Sequence, residues 1–142
     1  MKKILVSGGC GYIGSHTVVE LIENSYQPII IDNYANSEKG VLQSLQDLCG
    51  QEIIHYEGDC RDAALLDTIF SENEIDGVIH FAAYKAVGES VAKPLMYFDN
   101  NLNSLLEVLR AMRKHKVNKL VFTGSTDKSS SLKFVLQSLW PR

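Results

Sequence analysis

Three glycines at a spacing of three residues follow the first apolar run of the chain. The segment ILVSGGCGYIGSH places them at Gly8, Gly11 and Gly14, and the residues after them enter a helical pattern. A turn this tight needs residues that accept positive φ, and a diphosphate can approach the backbone only where no Cβ intervenes. We expect Gly8 and Gly11 to serve these two purposes and Gly14 to let the helix pack close to the strand. The spacing therefore predicts a diphosphate site at the positive end of a helix.

An acidic residue stands at the end of the second apolar run. The stretch PIIID ends in Asp32, eighteen positions beyond Gly14, where a carboxylate can accept hydrogen bonds from both hydroxyls of an adenosine ribose. The same carboxylate would repel a 2′-phosphate, and no arginine follows it closely, so the pattern favours NAD over NADP. The alternative is that Asp32 only caps a strand and the glycines only form a turn.

Further candidate residues follow the third and fourth apolar runs. Asp59 in EGDC would accept a hydrogen bond from the adenine amino group, or it is a solvated loop aspartate. In HFAAYKAVGES, Ala82 and Ala83 leave room for a ligand at the backbone, and Lys85 offers a cation to a diphosphate or ribose unless it is a surface lysine. His80 lies within an apolar run, so we interpret it as a hydrogen-bonded core histidine and not as a catalyst.

Composition argues against several other classes of function. The chain has 142 residues, 45% of them hydrophobic and 22% charged, which is typical of one soluble globular domain. A net charge of -3 gives no reason to expect nucleic acid or an anionic membrane as a partner. Three cysteines without a C-x-x-C pair and histidines without clustered ligands indicate neither disulfides nor a metal site, and they fit a reducing cytosol. The apolar stretch after MKK is too short for a signal peptide or a membrane span.

Short apolar runs alternate with segments of helical period, an order typical of βαβ units. The runs are apolar on both faces, which predicts strands covered by helices on both sides. We therefore predict an α/β fold, a Rossmann-type doubly wound parallel sheet. The predicted strands are 4–6, 28–31, 53–56, 78–81 and 120–122, and the predicted helices are 13–22, 64–70 and one that starts near Pro94 and carries an apolar stripe of Leu102, Leu105, Leu106, Leu109 and Met112.

Several longer segments together carry a resemblance to a known family. They are GGCGYIGSHTVVEL, DNYANS, EGD, HFAAYKAVGESVAKPLMYFDNN and KLVF, and they cover residues 1–122 in order. In these segments the chain resembles the N-terminal part of the UDP-glucose 4-epimerases, which are extended short-chain dehydrogenases/reductases. The glycine motif is shared across that superfamily. The stretch KAVGESV followed by DNN is more specific and disfavours another member such as a sugar-nucleotide dehydratase.

The resemblance implies positions along a bound NAD and its substrate. Tyr12 and Ile13 would join the glycines at the pyrophosphate, and Asn100 would lie near the nicotinamide. Ser125 would hydrogen-bond the 4-oxygen of a UDP-hexose. The other implied positions are Asp32, Asn33, Tyr34, Ala35, Asn36 and Ser37 around the adenosine ribose, Asp59 and Cys60 by the adenine, and Phe81, Ala82, Ala83, Tyr84 and Lys85 along the cofactor.

The family's reaction needs a pair of residues that this sequence lacks. In the family, NAD takes a hydride from C4 of the UDP-hexose while a tyrosine removes the O4 proton, and a lysine four residues later lowers the pKa of that tyrosine. The residues four positions after the six tyrosines of this chain are His16, Ile30, Glu38, Cys60, Gly88 and Asn101. None of them is a lysine, so the resemblance implies that this chain alone is inactive.

The resemblance also fades after the fifth predicted strand, where the chain reads TGSTDKSSSLKFVLQSLWPR. We therefore expect residues 1–125 to form an incomplete NAD-binding Rossmann domain, truncated after about the fifth strand. Residues 126–142 would be a divergent tail that a shifted reading frame or another truncation produces. The alternative is a genuine tail whose leucines, at helical spacing, form a substitute helix over the open sheet edge.

Two classes of function remain open. The first is a cytoplasmic UDP-glucose 4-epimerase of galactose metabolism by ancestry, with a UDP-hexose as substrate and a homodimer as an open expectation. The second is a non-catalytic module that binds NAD or another polypeptide. A second chain that carries Tyr-x-x-x-Lys would favour the first class, and NAD binding by the 142-residue product alone would favour the second.

Overall fold

A computed structural model describes residues 1–34, 40–81 and 102–122 of the chain. In these ranges, strands and helices follow one another as predicted for βαβ units. The longest helix has 12 residues, and none in the described ranges is long and apolar enough to cross a membrane. The elements are β1 Lys3–Ser7, α1 Tyr12–Glu23, β2 Gln27–Asp32, α2 Gly40–Cys49, β3 Ile54–Glu57, α3 Ala63–Glu72, β4 Ile75–His80, α4 Ser104–Lys114 and β5 Leu120–Phe122.

The five strands form one parallel sheet in the order β3-β2-β1-β4-β5. This order confirms the predicted doubly wound sheet. The chain builds outward from β1 in one direction through β2 and β3, and then returns to the other side of β1 for β4 and β5. Ligands of such sheets bind at the carboxyl ends of the strands, where the direction of winding changes. In this chain that point lies between β1 and β4.

Successive residues of the central strands pack against opposite faces of the sheet. Leu5 and Ile29 lie in a cluster with the buried side chains of α3 and α4. Val6 and Ile30 lie in a second cluster with those of α1 and α2. All four of these strand residues are at most 1% exposed. The sequence therefore reads as continuous apolar runs because both faces of these strands are covered.

The edge strand β3 departs from the prediction. The sequence predicts a strand covered on both faces at 53–56, whereas β3 spans Ile54–Glu57 and, among the described strands, pairs only with β2. Ile54 is 38% exposed, and His55 and Glu57 are exposed as well. An apolar run therefore does not by itself separate an edge strand from a central one, because the number of neighbours is set by the order of strands in the sheet.

Two helices also differ from the sequence prediction. Helix α2 was not predicted, although its buried residues Leu42 and Leu45 lie three positions apart, on one helix face. The apolar stripe predicted for the last helix does not lie wholly on the buried face of α4. Leu106 is 37% exposed, and Leu102, just before the helix, is 56% exposed. The face that α4 buries holds Ser104, Val108, Ala111 and Met112.

His80, at the end of β4, is the core histidine that the sequence predicts. It is completely buried, with the Ser7 hydroxyl 2.6 Å from Nδ1 and the Ser104 hydroxyl 3.5 Å from Nε2. The Phe122 ring of β5 stacks on it with centroids 6.1 Å apart. Burying a polar ring is costly unless its nitrogens find partners, and here both face hydroxyl groups. The ring thereby joins β1, β4, β5 and α4 at the carboxyl edge of the sheet.

We expect Met112→Ala to lower the free energy of unfolding by about 2–5 kcal/mol, because Met112 is 0% exposed at the centre of the α4 contact with the sheet. Leu106→Ala is the matched control on the same helix and should cost about 1 kcal/mol or less, since that side chain is partly exposed. Urea unfolding followed by circular dichroism measures both. Equal losses would contradict the observed orientation of α4.

Candidate functional site

The glycine-rich turn joins β1 to α1 and brings the two elements unusually close. Gly8 has a φ of 75°, so the predicted need for positive φ is confirmed at this position. A Cβ on Gly14 would lie 2.1 Å from the Gly8 carbonyl oxygen, which is backbone and has no freedom to move aside. The prediction that Gly14 permits close packing is therefore confirmed. Any larger residue at this position would push α1 away from the strand end.

A fourth glycine of the turn was missed by the sequence reading. A Cβ on Gly9 would lie 2.8 Å from Cγ1 of Ile30, a side chain of β2 that is 1% exposed. The only signal in the sequence is the doubled glycine itself. The steric reason is visible only once β2 is placed beside β1, since Gly9 and Ile30 are far apart in the chain.

The first turn of α1 presents its backbone outward. The helix begins after Gly11, which caps it without a side-chain hydrogen bond and has a φ of -73°. Gly11 therefore does not need to be glycine for positive φ. Its Cβ would meet only the Gly8 carbonyl oxygen, at 3.3 Å, among the described atoms outside its own chain neighbours. Tyr12 and Ile13 are exposed, at 84% and 36%. Uncapped N–H groups at a helix N-terminus form an anion site.

Asp32 lies at the end of β2, directly beside this turn. Its Oδ2 accepts a hydrogen bond from the Cys10 N–H at 3.0 Å, and its Oδ1 accepts one from the Tyr34 N–H at 2.7 Å. The residue is 8% exposed. Each carboxylate oxygen has two lone pairs, so two backbone donors do not exhaust its capacity to accept. The structure thus brings the predicted acid to the predicted turn.

Tyr34 and Cys10 form a second link beside Asp32. Tyr34 has a φ of 58°, in the left-handed region that is unfavourable for a residue with a Cβ. Its hydroxyl hydrogen-bonds the Cys10 thiol. Burial, followed by the nearby Asp32 carboxylate, raises the pKa of Cys10 to about 11, and burial is also the main cause that raises the pKa of Tyr34 to about 12. Neither group ionises at neutral pH, so neither acts there as a nucleophile or base.

Asp59 follows β3 and is held by a partner that the sequence reading missed. The guanidinium and the backbone N–H of Arg61 both donate to the Asp59 carboxylate. The Asp59 side chain also hydrogen-bonds Asn33, just after β2. These bonds, the Arg61 side chain first, hold the pKa of Asp59 below its ordinary value. The signal in the sequence was the spacing Asp-x-Arg, which places a cation two residues after the acid.

Two other predicted residues turn their side chains into the core. Cys60 is 4% exposed, hydrogen-bonds Ser7, and has a pKa raised to about 12, mainly by burial. Phe81 is 7% exposed and packs in the cluster with Val6 and Ile30. Its N–H donates to the Ser7 carbonyl oxygen at 2.8 Å. Contact of either residue with a cofactor would therefore involve mainly its backbone.

The described candidates converge at one edge of the sheet. The Gly8 N–H donates to the Ile31 carbonyl at 2.8 Å, and the Gly58 N–H donates to the Asp32 carbonyl at 3.1 Å, so the parallel pairing continues past the strand ends. Within the ranges that the structure describes, no group of His, Cys, Asp and Glu residues could hold a metal ion. The predicted residues that lie outside those ranges are Ala35, Asn36, Ser37, Ala82, Ala83, Tyr84, Lys85, Asn100 and Ser125, together with Pro94 and the predicted tail at 126–142.

Chemically, this arrangement is suited to binding. It offers uncapped backbone N–H groups for an anion and two carboxylates for hydroxyl or amino groups. Two titratable side chains, those of Cys10 and Tyr34, lie beside Asp32. Both stay protonated at neutral pH. A nucleotide that carries a diphosphate and a ribose matches these groups.

Known proteins similar to the chain include several bacterial enzymes. It is 53% identical over 125 residues to the UDP-glucose 4-epimerase of Neisseria meningitidis serogroup C, a match that covers 88% of this chain and 37% of that protein. It is 46% identical over 123 residues to a UDP-glucose 4-epimerase sequence of Klebsiella pneumoniae, where the match covers 88% of the relative. The chain thus spans little more than a third of the length of the first of these relatives.

Solved structures and a family model agree with these relatives. The epimerase of Bifidobacterium longum in complex with NAD+ and UDP superposes with a TM-score of 0.86 and 49% identity, over 88% of this chain and 37% of that one. The epimerase of Stenotrophomonas maltophila with bound NAD and formylated UDP-arabinopyranose gives a TM-score of 0.85 and 39% identity, over 89% and 38% of the two chains. A family model described as GDP-mannose 4,6 dehydratase matches residues 5–129. The chain therefore belongs to the family that this model describes, and within it to the UDP-glucose 4-epimerases.

Proposed function

We propose that this chain binds NAD at the carboxyl edge of the sheet, with the adenosine half between the glycine turn and the ends of β2 and β3. One contact carries this assignment. The Cys10 N–H donates to Asp32, and so it fixes the acid that would hold the ribose against the turn that would hold the pyrophosphate. Two binding groups that come from separate strands are thereby set at a fixed distance before any ligand arrives, which lowers the cost of ordering the site.

The glycine turn fits the pyrophosphate of NAD. Outside its own chain neighbours, a Cβ on Gly11 would meet only one described atom within 4 Å, so a phosphate can approach the main chain there. The uncapped N–H groups at the start of α1 would donate to its oxygens, assisted by the positive end of the helix dipole. Tyr12 and Ile13, both exposed, would lie over the phosphates.

Asp32 fits the ribose of the adenosine. Its oxygens accept hydrogen bonds, as they do from the N–H groups of Cys10 and Tyr34, and the two ribose hydroxyls are suitable donors. A 2′-phosphate would bring negative charge against the carboxylate, so NAD is preferred over NADP. When bound, NAD supplies a site that takes up and returns a hydride.

For the whole protein we propose the interconversion of UDP-glucose and UDP-galactose, the activity implied by its family. The 142 residues of the chain contain no tyrosine with a lysine four residues later. The proton on the sugar's 4-hydroxyl would therefore have no base of the family's kind. We propose that the polypeptide of residues 1–142 holds NAD without turning over the sugar nucleotide, and that Ser125 would meet the sugar only where such a base is also supplied.

The partners and the location are proposed on the same basis. A UDP-hexose is the substrate of the whole protein, and a homodimer is its proposed assembly. The side chains of Leu102 and Leu106, which the core leaves exposed, are available for such a contact. Three free cysteines favour a reducing compartment, and we propose the cytoplasm.

We expect Gly14→Ala to weaken NAD binding by about tenfold or more, because α1 must move away from Gly8 to make room and then misplaces its N-terminal N–H groups. Gly40→Ala is the matched control, since a Cβ there meets nothing within 4 Å. Isothermal titration calorimetry with NAD compares the two variants. Unchanged affinity in Gly14→Ala would show that the close contact does not position the ligand.

We expect Asp32→Ala to weaken NAD binding by about 10- to 100-fold, the loss that corresponds to hydrogen bonds with a charged group. The preference for NAD over NADP should fall as well, since the repulsion of a 2′-phosphate disappears. The exposed Glu23, on α1, provides the control substitution Glu23→Ala. Affinities for both dinucleotides measured by calorimetry decide the point. An Asp32→Ala variant that binds NAD like the wild type would refute the ribose assignment.

We expect the 142-residue polypeptide to bind NAD and to show no conversion of UDP-galactose to UDP-glucose above the blank. Chromatographic separation of the two sugar nucleotides after prolonged incubation measures the reaction, and the Bifidobacterium longum epimerase serves as the positive control. Turnover by the purified polypeptide would mean that another residue acts as the base, and the proposed lack of activity would then be wrong.

A further inference from the structure

The turn after β3 fixes one carboxylate with unusual completeness for a partly exposed residue. The Arg61 backbone N–H donates to Oδ1 of Asp59 at 2.8 Å, and Nε of Arg61 lies 3.1 Å from both carboxylate oxygens of Asp59. Its Nη2 donates to Oδ2 at 2.7 Å, which completes a bidentate pair. The Asp62 N–H closes the turn onto the Asp59 carbonyl at 2.9 Å. Arg61 therefore holds the carboxylate plane, and the Asp62 N–H closes the short turn in which both residues lie.

This arrangement gives the side chain of Asp59 a definite chemical character. A carboxylate bonded by a guanidinium stays ionised, and the pKa of Asp59 is lowered chiefly by the Arg61 side chain. An ionised carboxylate accepts hydrogen bonds and donates none. It therefore favours a ligand edge that carries an amino group and disfavours one that carries a keto oxygen in the same place.

The Asp59–Arg61 pair lies at the adenosine end of the proposed site. Asn33, the residue after Asp32, hydrogen-bonds the Asp59 side chain and so joins it to the end of β2. On its other side, Asp59 and Arg61 line an open cleft toward Asn103 and Glu107. A planar base attached to a ribose on Asp32 would reach this region first. Nothing else in the described part of the chain presents a guanidinium to that acid.

We propose that Arg61 is a positioning residue that sets the choice of base, because it holds the Asp59 carboxylate as a fixed acceptor for the exocyclic amino group of adenine. The inference rests on the proposed NAD binding and deepens it. Without the guanidinium, the Asp59 carboxylate keeps the hydrogen bond from the backbone N–H of residue 61 to Oδ1. It loses the side-chain hydrogen bonds that fix Oδ2. The acceptor can then turn away from the base, and a keto group is tolerated in place of the amino group.

The test compares two dinucleotides that differ at this edge of the base. NAD carries the adenine amino group, and nicotinamide hypoxanthine dinucleotide carries a keto oxygen there. We expect the wild-type chain to bind NAD at least about tenfold more tightly than the hypoxanthine analogue, a ratio typical of one hydrogen bond to a charged group. In Arg61→Gln that ratio of dissociation constants should fall at least about threefold. Arg61→Lys keeps the charge but not the planar fork and should also lower the ratio.

Two controls separate positioning from a merely structural role. Arg113→Gln removes an exposed arginine of α4 and should leave the ratio unchanged. Asp59→Asn, whose amide both donates and accepts, should lower the ratio as Arg61→Gln does. If Arg61 only stabilised the turn, its replacement would weaken both dinucleotides alike, and a ratio that falls by less than about threefold would overturn the proposal. Failure of the wild-type chain to bind NAD at all would overturn the proposed function and this inference with it.

Discussion

The rest of the structure depends on the close approach of α1 to the end of β1. A Cβ on residue 14 would lie 2.1 Å from the Gly8 carbonyl oxygen, so the helix can come this close only because residue 14 is a glycine. That approach turns the N-terminus of α1 toward the carboxyl edge of the sheet. It also carries the Cys10 N–H to Asp32. A helix placed one side chain farther away would lose this direction of its N-terminus and the hydrogen bond from Cys10 to Asp32.

A buried polar network keeps the same edge in register. Ser7 precedes the glycine turn, and its hydroxyl meets His80 of β4 and the N–H of Phe81. The other nitrogen of the His80 ring faces Ser104 at the start of α4. Since unsatisfied buried polar groups cost free energy, this set of partners favours one arrangement of β1, β4 and α4 over nearby slips.

The two carboxylates of the site are prepared in different ways. Asp32 is shielded and held by backbone N–H groups, whose positions follow from the fold. Asp59 is more exposed and is held mainly by one side chain, Arg61, which is itself exposed. Exposed ion pairs contribute little to stability, so this pair is better suited to orienting the acid than to holding the chain together. Stability and the proposed selectivity therefore depend on different residues.

The sequence alone determined the fold class and the outline of the proposed nucleotide site, because both depend on short spacings. The apolar runs, the three glycines and Asp32 lie in fixed local relation to a strand or a helix start, and hydrophobic periodicity together with the freedom of glycine encodes them directly. Residue types also identified His80 as a core histidine, since a lone polar residue in an apolar run needs buried partners.

Only the tertiary structure decided which residues meet across the chain. Gly9 must be small because Ile30 of β2 lies against it, and β3 is exposed because it has one neighbouring strand in the described part of the sheet. The buried face of α4 passes through Val108 and Met112, and the sheet below sets its limits. The contact between Arg61 and Asp59 is local in the chain, but only the folded turn after β3 shows that the Arg61 side chain bends back onto the acid. The features at Gly9, β3 and α4 depend on which elements become neighbours, and local spacing carries no information about that.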